Sequence, residues 1–232
     1  MKHLFKLFLF TLIIANSTKS FAQKDTLRVL FVGNSYTYYS NLPKLVSDLS
    51  KNTSTFIQTR MSAIGGARLK YHYNQERGLK TKEIIKKGNF DIVVLQEQSM
   101  GTLTNKEEFL YYSKKLSDLI KKHGAKPYFF TTWSREKTPE TQKTITKVYK
   151  EAAEQNNGVP VLVGDVWKLA KRKQPSIKLY ADDGSHPNSL GTLLTASIFL
   201  KKFIGPLPSK INNTRKLDLS SLEFCFQIAN QF

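Results

Sequence analysis

Five short apolar runs, each followed by a stretch of helical length, constrain this 232-residue chain more than any other feature of its sequence. The runs are Leu27 to Val32, Thr55 to Met61, Asp91 to Leu95, Lys126 to Thr132 and Val159 to Val163. The first is almost continuously apolar, as a strand buried on both faces must be. Helix candidates follow at Leu42 to Lys51, Thr81 to Lys87, Lys106 to His123, Glu140 to Gln155, Val166 to Lys173 and Ser189 to Phe203. In the third of these, Phe109, Leu110, Leu116, Leu119 and Ile120 recur at helical spacing and mark a core-facing stripe. Strand and helix in alternation predict an α/β fold, a five-stranded parallel sheet with helices on both faces. In such folds ligands gather beyond the C-terminal ends of the strands, so the loops that leave the strands are the ones to read for chemistry.

Both ends of the chain qualify this picture. Met1 to Ala22 has a basic start, an apolar stretch from Leu4 to Ala15 and small residues before Gln23. That pattern predicts a secretory leader, too short to stay as a membrane anchor once cleaved, and hence an exported protein, periplasmic or extracellular. The remaining 23–232 is about the length of one domain with a full core, ending in a helical tail from about residue 205. The single cysteine, Cys225, lies in the apolar run "LEFCFQIA" and reads as a small core residue. Without a second cysteine, no disulfide can form within one chain.

The formal charge is +18, or about +15 without the three lysines of the leader, a field that attracts polyanions. The lysines are dispersed over helical faces and no nucleic-acid-binding motif accompanies them, which argues for solvated faces or an acidic glycan rather than a nucleic acid. No pair of histidines or carboxylates has metal-ligand spacing, so neither metal nor cofactor is expected.

The loops after the strands carry the candidate chemistry. After the first comes Gly33-Asn34-Ser35, where a glycine permits a tight turn and sets the Ser35 hydroxyl at the sheet edge. Such a hydroxyl needs a neighbouring base to become a nucleophile. After the second comes "SAIGGARL", in which Gly65 and Gly66 can bare a backbone N–H toward a developing oxyanion, or simply form a turn. The third strand runs into "VVLQEQS": period-two alternation puts Gln96 and Gln98 on one side, either amide being a possible oxyanion donor, and Glu97 on the other, where it faces the site or pairs with a lysine. The fourth ends in "FFTTWSRE", where Trp133 is either a lid on the core or a wall for substrate. The last loop, "YADDGSHPNSLG", places Asp183 three residues before His186 at the entry to a helix, so that the carboxylate can hold one imidazole nitrogen while the other addresses a hydroxyl. Of the competing bases, His123 reads as a helix C-cap and His72 as a surface or lining residue.

In this order the motifs "FVGNSYT", Gly65-Gly66, "VVLQEQS" and "DGSHPNSLG" resemble those of the SGNH (GDSL-type) hydrolases, over about residues 27 to 204. The resemblance implies a three-layer flavodoxin-like sandwich, a catalytic triad of Ser35, Asp183 and His186, and an oxyanion hole drawn from the N–H groups of Ser35 and Gly66 or Gly65 and a glutamine amide, Gln96 or Gln98. Two departures stand out: Asn34 replaces the aspartate of the first block, and the third block lacks its Gly-x-Asn-Asp. The glutamine-bearing "LQEQS" is closer to the carbohydrate acetylesterases of this superfamily, which implies an O-acetylated glycan as substrate, an acidic one suiting the positive charge, with Asn34, Tyr36, Glu97 and Trp133 as substrate-binding residues. Rival expectations are a lysophospholipase or thioesterase, and an inactive glycan-binding domain on the same fold.

Overall fold

A computed structural model describes residues 24–208 and 217–232; the expected leader at residues 1–22 lies outside the described residues. The strands are β1 (Asp25–Gly33), β2 (Thr55–Ala63), β3 (Ile92–Leu95), β4 (Lys126–Phe130) and β5 (Val159–Val161). They pair in the order β2-β1-β3-β4-β5, every pairing parallel. The chain therefore steps outward from β1 in one direction and then in the other, and the gap between the C-terminal ends of β1 and β3 is the switch point where such sheets bind ligands.

Ten α-helices connect and cover the described strands: α1 (Ser35–Tyr38), α2 (Leu42–Ser50), α3 (Leu69–Asn74), α4 (Thr81–Lys87), α5 (Gly101–Thr104), α6 (Lys106–Lys122), α7 (Gln142–Gln155), α8 (Val163–Lys173), α9 (Ser189–Ile204) and α10 (Leu219–Asn230). Strand β1 explains the three layers. Its Val29 and Phe31 pack into one core with Val166 and Trp167 of α8, Phe199 of α9 and Leu222 of α10. Its Leu30 and Val32 pack into a second core, with Leu116 and Ile120 of α6 and Tyr149 of α7. The segment of β1 that feeds two cores, Val29 to Val32, has no polar face, hence its apolar run. Of the stripe predicted on α6, Phe109, Leu116 and Ile120 are buried and Leu110 and Leu119 pack at the margin.

The short helices α1, α3 and α5 were not legible as helices, since none is long enough to show a period. The tail helix α10 docks on α9 through Leu222, Cys225 and Phe226, and Asn230 exchanges hydrogen bonds with the backbone of Leu207 (2.8 and 3.0 Å). Cys225 is fully buried, and burial pushes its thiol up to about 12.

Candidate active site

Ser35 leaves β1 at the switch point as the first residue of α1. The turn is locked locally: Asn34 caps α1 by accepting from Tyr36 N at 3.1 Å, and its carbonyl takes the N–H groups of Thr37 and Tyr38 (2.9 and 3.2 Å). Helix geometry leaves the Ser35 N–H without an acceptor inside its own helix. Gly33 must be glycine for reasons of space, because a Cβ there would lie 2.3 Å from Thr37 Oγ1 and 2.4 Å from Gln96 Oε1.

The other two residues of the expected triad come from the loop ahead of α9. Asp183 Oδ1 accepts the backbone N–H groups of Ser185 and His186, each at 2.9 Å, and Oδ2 meets His186 Nδ1 at 2.5 Å. The opposite ring nitrogen, Nε2, lies 2.8 Å from Ser35 Oγ. An ionised carboxylate accepts only, so Nδ1 carries a proton and Nε2 is the nitrogen that faces the hydroxyl. The hydrogen bond from His186, then those from the backbone, hold the Asp183 carboxyl down at about 2. Both side chains stay open to solvent, Asp183 at 48% and His186 at 29%. The loop is anchored where Asn188 caps α9 by accepting from Gly191 N at 2.9 Å, and where Ala181 N donates to His186 O at 2.8 Å.

The remaining expected site residues are mostly structural. Gln96 is fully buried; its Oε1 accepts from Asn34 N and Thr37 Oγ1, both at 2.9 Å, and its Nε2 donates to Glu97 O. It clamps the nucleophile turn to the end of β3 and cannot reach a substrate, which removes it from the oxyanion donors. Gln98 is partly exposed, its Oε1 accepting from Met100 N at 2.8 Å and its Nε2 donating to Ser99 Oγ at 3.2 Å. The expected period-two alternation stops where β3 does, at Leu95, so Gln96 and Glu97 are both buried. Glu97 does not bind substrate: it accepts from Leu69 N (3.0 Å) and Gln98 N (2.8 Å), with Arg68 Nε 3.7 Å away, and burial raises its carboxyl.

Asn34 is likewise consumed, its amide donating to Ala67 O at 2.9 Å and to Glu97 O at 3.4 Å. That bond ties the Gly65-Gly66 turn to the nucleophile turn; Gly66 takes the left-handed conformation (φ +66°), and a Cβ on Gly65 would lie 3.3 Å from the Tyr38 hydroxyl. Tyr36 is buried with its hydroxyl 2.6 Å from Ser185 Oγ, and burial raises its pKa. Trp133 is a piece of core, stacked between Trp167 (4.0 Å) and Tyr36 (4.7 Å), and its indole N–H donates to Ser185 O at 2.9 Å. Substrate-binding roles for Asn34, Tyr36, Glu97 and Trp133 therefore give way to roles in holding the two loops together.

His72, expected as a surface or lining residue, is fully buried behind the turn that carries Ser35. Its Nε2 donates to Gly33 O at 2.9 Å, which fixes the tautomer, and its Nδ1 accepts from Thr81 Oγ1 at 2.7 Å. Thr81 in turn meets Ser62 Oγ at 2.8 Å. Desolvation lowers the imidazole to about 4, so it is neutral at pH 7. Tyr39 was also missed: its ring stacks on the His186 imidazole with centroids 5.1 Å apart and planes 26° apart. Among the described residues no group of three or more His, Cys, Asp or Glu side chains is arranged to hold a metal ion.

No protein-family model matches the chain. No curated protein matches it in sequence either. Solved structures do. A protein from Slackia heliotrinireducens assigned to the SGNH hydrolases superposes with a TM-score of 0.67 at 26% identity, covering 77% of this chain and all of that one. A DUF4886 family protein from Bacteroides uniformis gives a TM-score of 0.72 at 14% identity over 89% of this chain and 94% of its own. An acetyl xylan esterase gives 0.62 at 17% identity, covering 77% of this chain and 100% of that one. The strand order, a serine at the switch point in reach of an Asp-x-x-His pair, and these likenesses place the chain in the SGNH (GDSL-type) hydrolase superfamily.

Proposed function

We propose that the protein is a serine esterase that removes O-acetyl groups from a carbohydrate. The observation that carries the reading is the continuous hydrogen-bonded chain from Ser35 Oγ through His186 to Asp183. Ser35 Oγ attacks the acyl carbon while its proton passes to His186 Nε2. The new imidazolium is held by the Asp183 carboxylate, and its proton goes to the departing alkoxide as the ester C–O bond breaks. Water then attacks the acyl-serine, giving its proton to the same nitrogen, and Ser35 departs with that proton as acetate is released. The oxyanion faces the Ser35 N–H and the Gly66 N–H, with Gly65 as the alternative, and Gln98 is the glutamine left to complete the set. Each donor contributes about 3 kcal/mol to barrier lowering.

The acetyl and carbohydrate assignments draw support from the acetyl xylan esterase among the structural neighbours and from the half-exposed tyrosine rings of Tyr38 and Tyr39 beside the nucleophile. The positive charge favours an acidic glycan, and export follows from the leader read at residues 1–22. A series of p-nitrophenyl esters from acetate to palmitate, with Ser35→Ala as control, tests this. The expected result is acetate preference that the substitution reduces by at least about 10⁴-fold without a change in melting temperature. Long-chain preference would turn the assignment to a lysophospholipase or thioesterase, and absence of serine-dependent turnover to a binding domain. Acetate release from acetylated polysaccharides then names the glycan.

A further inference from the structure

The chain just beyond α1 is strained where it has least local reason to be. Ser40 (φ 49°) and Asn41 (φ 52°), neighbours and neither a glycine, both occupy the left-handed region. Asparagine tolerates that conformation and serine does so poorly. Such outliers persist where surrounding contacts over-determine them, and they gather at functional sites. Here the strained pair follows directly on Tyr39, which is 40% exposed yet lies nearly parallel to the His186 ring. The pair lets the backbone turn back on itself after α1 and enter α2, leaving the Tyr39 ring over the imidazole. Tyr36 meets the same imidazole edge to face (5.5 Å, 80°), so two rings and the Asp183 carboxylate frame it.

We propose that Tyr39 is a positioning residue for the base: its ring face holds the His186 imidazole on the Ser35–Asp183 line and stabilises the imidazolium that forms when Ser35 gives up its proton. The inference rests on the esterase reading of the same site. The face of an aromatic ring is electron-rich, so a stacked imidazole gains attraction when it becomes a cation. The gain appears only as the proton moves, and it therefore lowers the barrier rather than strengthening substrate binding. The ring, not the hydroxyl, does this, and the left-handed hinge at Ser40 and Asn41 keeps the ring in place.

A fluorophosphonate probe tests the idea without an acyl substrate. Ser35 Oγ attacks phosphorus, fluoride leaves and the serine proton goes to His186, so the labelling rate reports on the first attack, in which His186 acts as base, with no deacylation step. Tyr39→Leu is expected to label about fivefold more slowly, the size of a cation–π contact at a partly exposed site. In ester hydrolysis the same variant lowers kcat and leaves KM unchanged. Tyr39→Phe keeps the ring and restores most of the rate. Ser40→Gly relaxes the hinge and is expected to slow labelling with no fall in melting temperature. Labelling of Tyr39→Leu at the unaltered rate, or an equal loss in Tyr39→Phe, would overturn the proposal. If the unaltered protein shows no labelling that depends on Ser35, the esterase reading fails, and the positioning role falls with it.

Discussion

The two sides of the proposed active site are built on opposite principles. On one side, the loop bearing Asp183 and His186 is open to water; it takes its shape from its own short hydrogen bonds and is fastened by Trp133 and Tyr36 through Ser185, by the Glu136 N–H to the Gly184 carbonyl and by the Asn188 cap. On the other, the nucleophile turn rests on a buried polar framework of Asn34, Gln96, Glu97 and His72, in which each side chain is hydrogen-bonded inward. The difference separates two tasks. A nucleophile must be held to a fraction of an ångström, and a desolvated network that is fully satisfied does so rigidly. The base must take up and release protons and meet water in the second half of the reaction, which suits a loop at the surface.

The comparison is broken most forcefully at Asp183. Asp183→Asn keeps the shape of the loop but supplies a poorer partner for His186 Nδ1, and kcat is expected to fall by about 10³- to 10⁴-fold with little change in stability. A loss below tenfold in p-nitrophenyl acetate hydrolysis would mean that the aromatic rings alone orient the base.

The buried side answers in stability instead. Gln96→Ala strands the Asn34 N–H and the Thr37 hydroxyl in a dry cavity and is expected to cost about 4 kcal/mol in urea unfolding. Gln98→Ala, at the partly exposed neighbour, should stay within about 0.5 kcal/mol. Equal effects from the two would erase the distinction.

The gentlest test is acid. His72 titrates at about 4 when folded, against 6.5 for the free side chain. Between those values the unfolded chain binds more protons, so the stability due to neutral burial is complete above pH 6.5 and is lost as pH falls toward 4, by about 3 kcal/mol in all. Glu97, whose pKa burial raises, works with the opposite sign. Urea midpoints measured from pH 7 to pH 4 should therefore fall less steeply in His72→Gln than in the unaltered protein. Parallel curves would place the source of acid sensitivity elsewhere.

The same division explains what the sequence disclosed. All five strands could be read from their short apolar runs, most plainly β1 and β3, whose apolar residues are buried on both sides, and the observed β1, β2 and β3 lie within a residue or two of the expected spans. Asp183 and His186 could be read because their partnership is local, three residues apart in one loop. Gln96, Glu97 and Asn34 were recognised as belonging to the site but misjudged in role. Whether an amide faces outward or inward depends on neighbours about sixty residues distant, such as the Asn34 N–H for Gln96. His72 gave no signal at all, since its partners Gly33 and Thr81 are brought to it only by the folded sheet. Tyr39 could have been found, because it lies four residues after Ser35, but nothing in a run of tyrosines tells which ring will cover the imidazole.

Cys225 carries one more consequence. Packed under α10 with its thiol pushed to about 12, it is chemically silent for as long as the last helix stays seated. In an oxidising compartment, a molecule whose tail has lifted bares its one thiol, which is then open to a disulfide with any other thiol, a second copy of the chain included. The seating of the last helix is thus what keeps that thiol out of solvent.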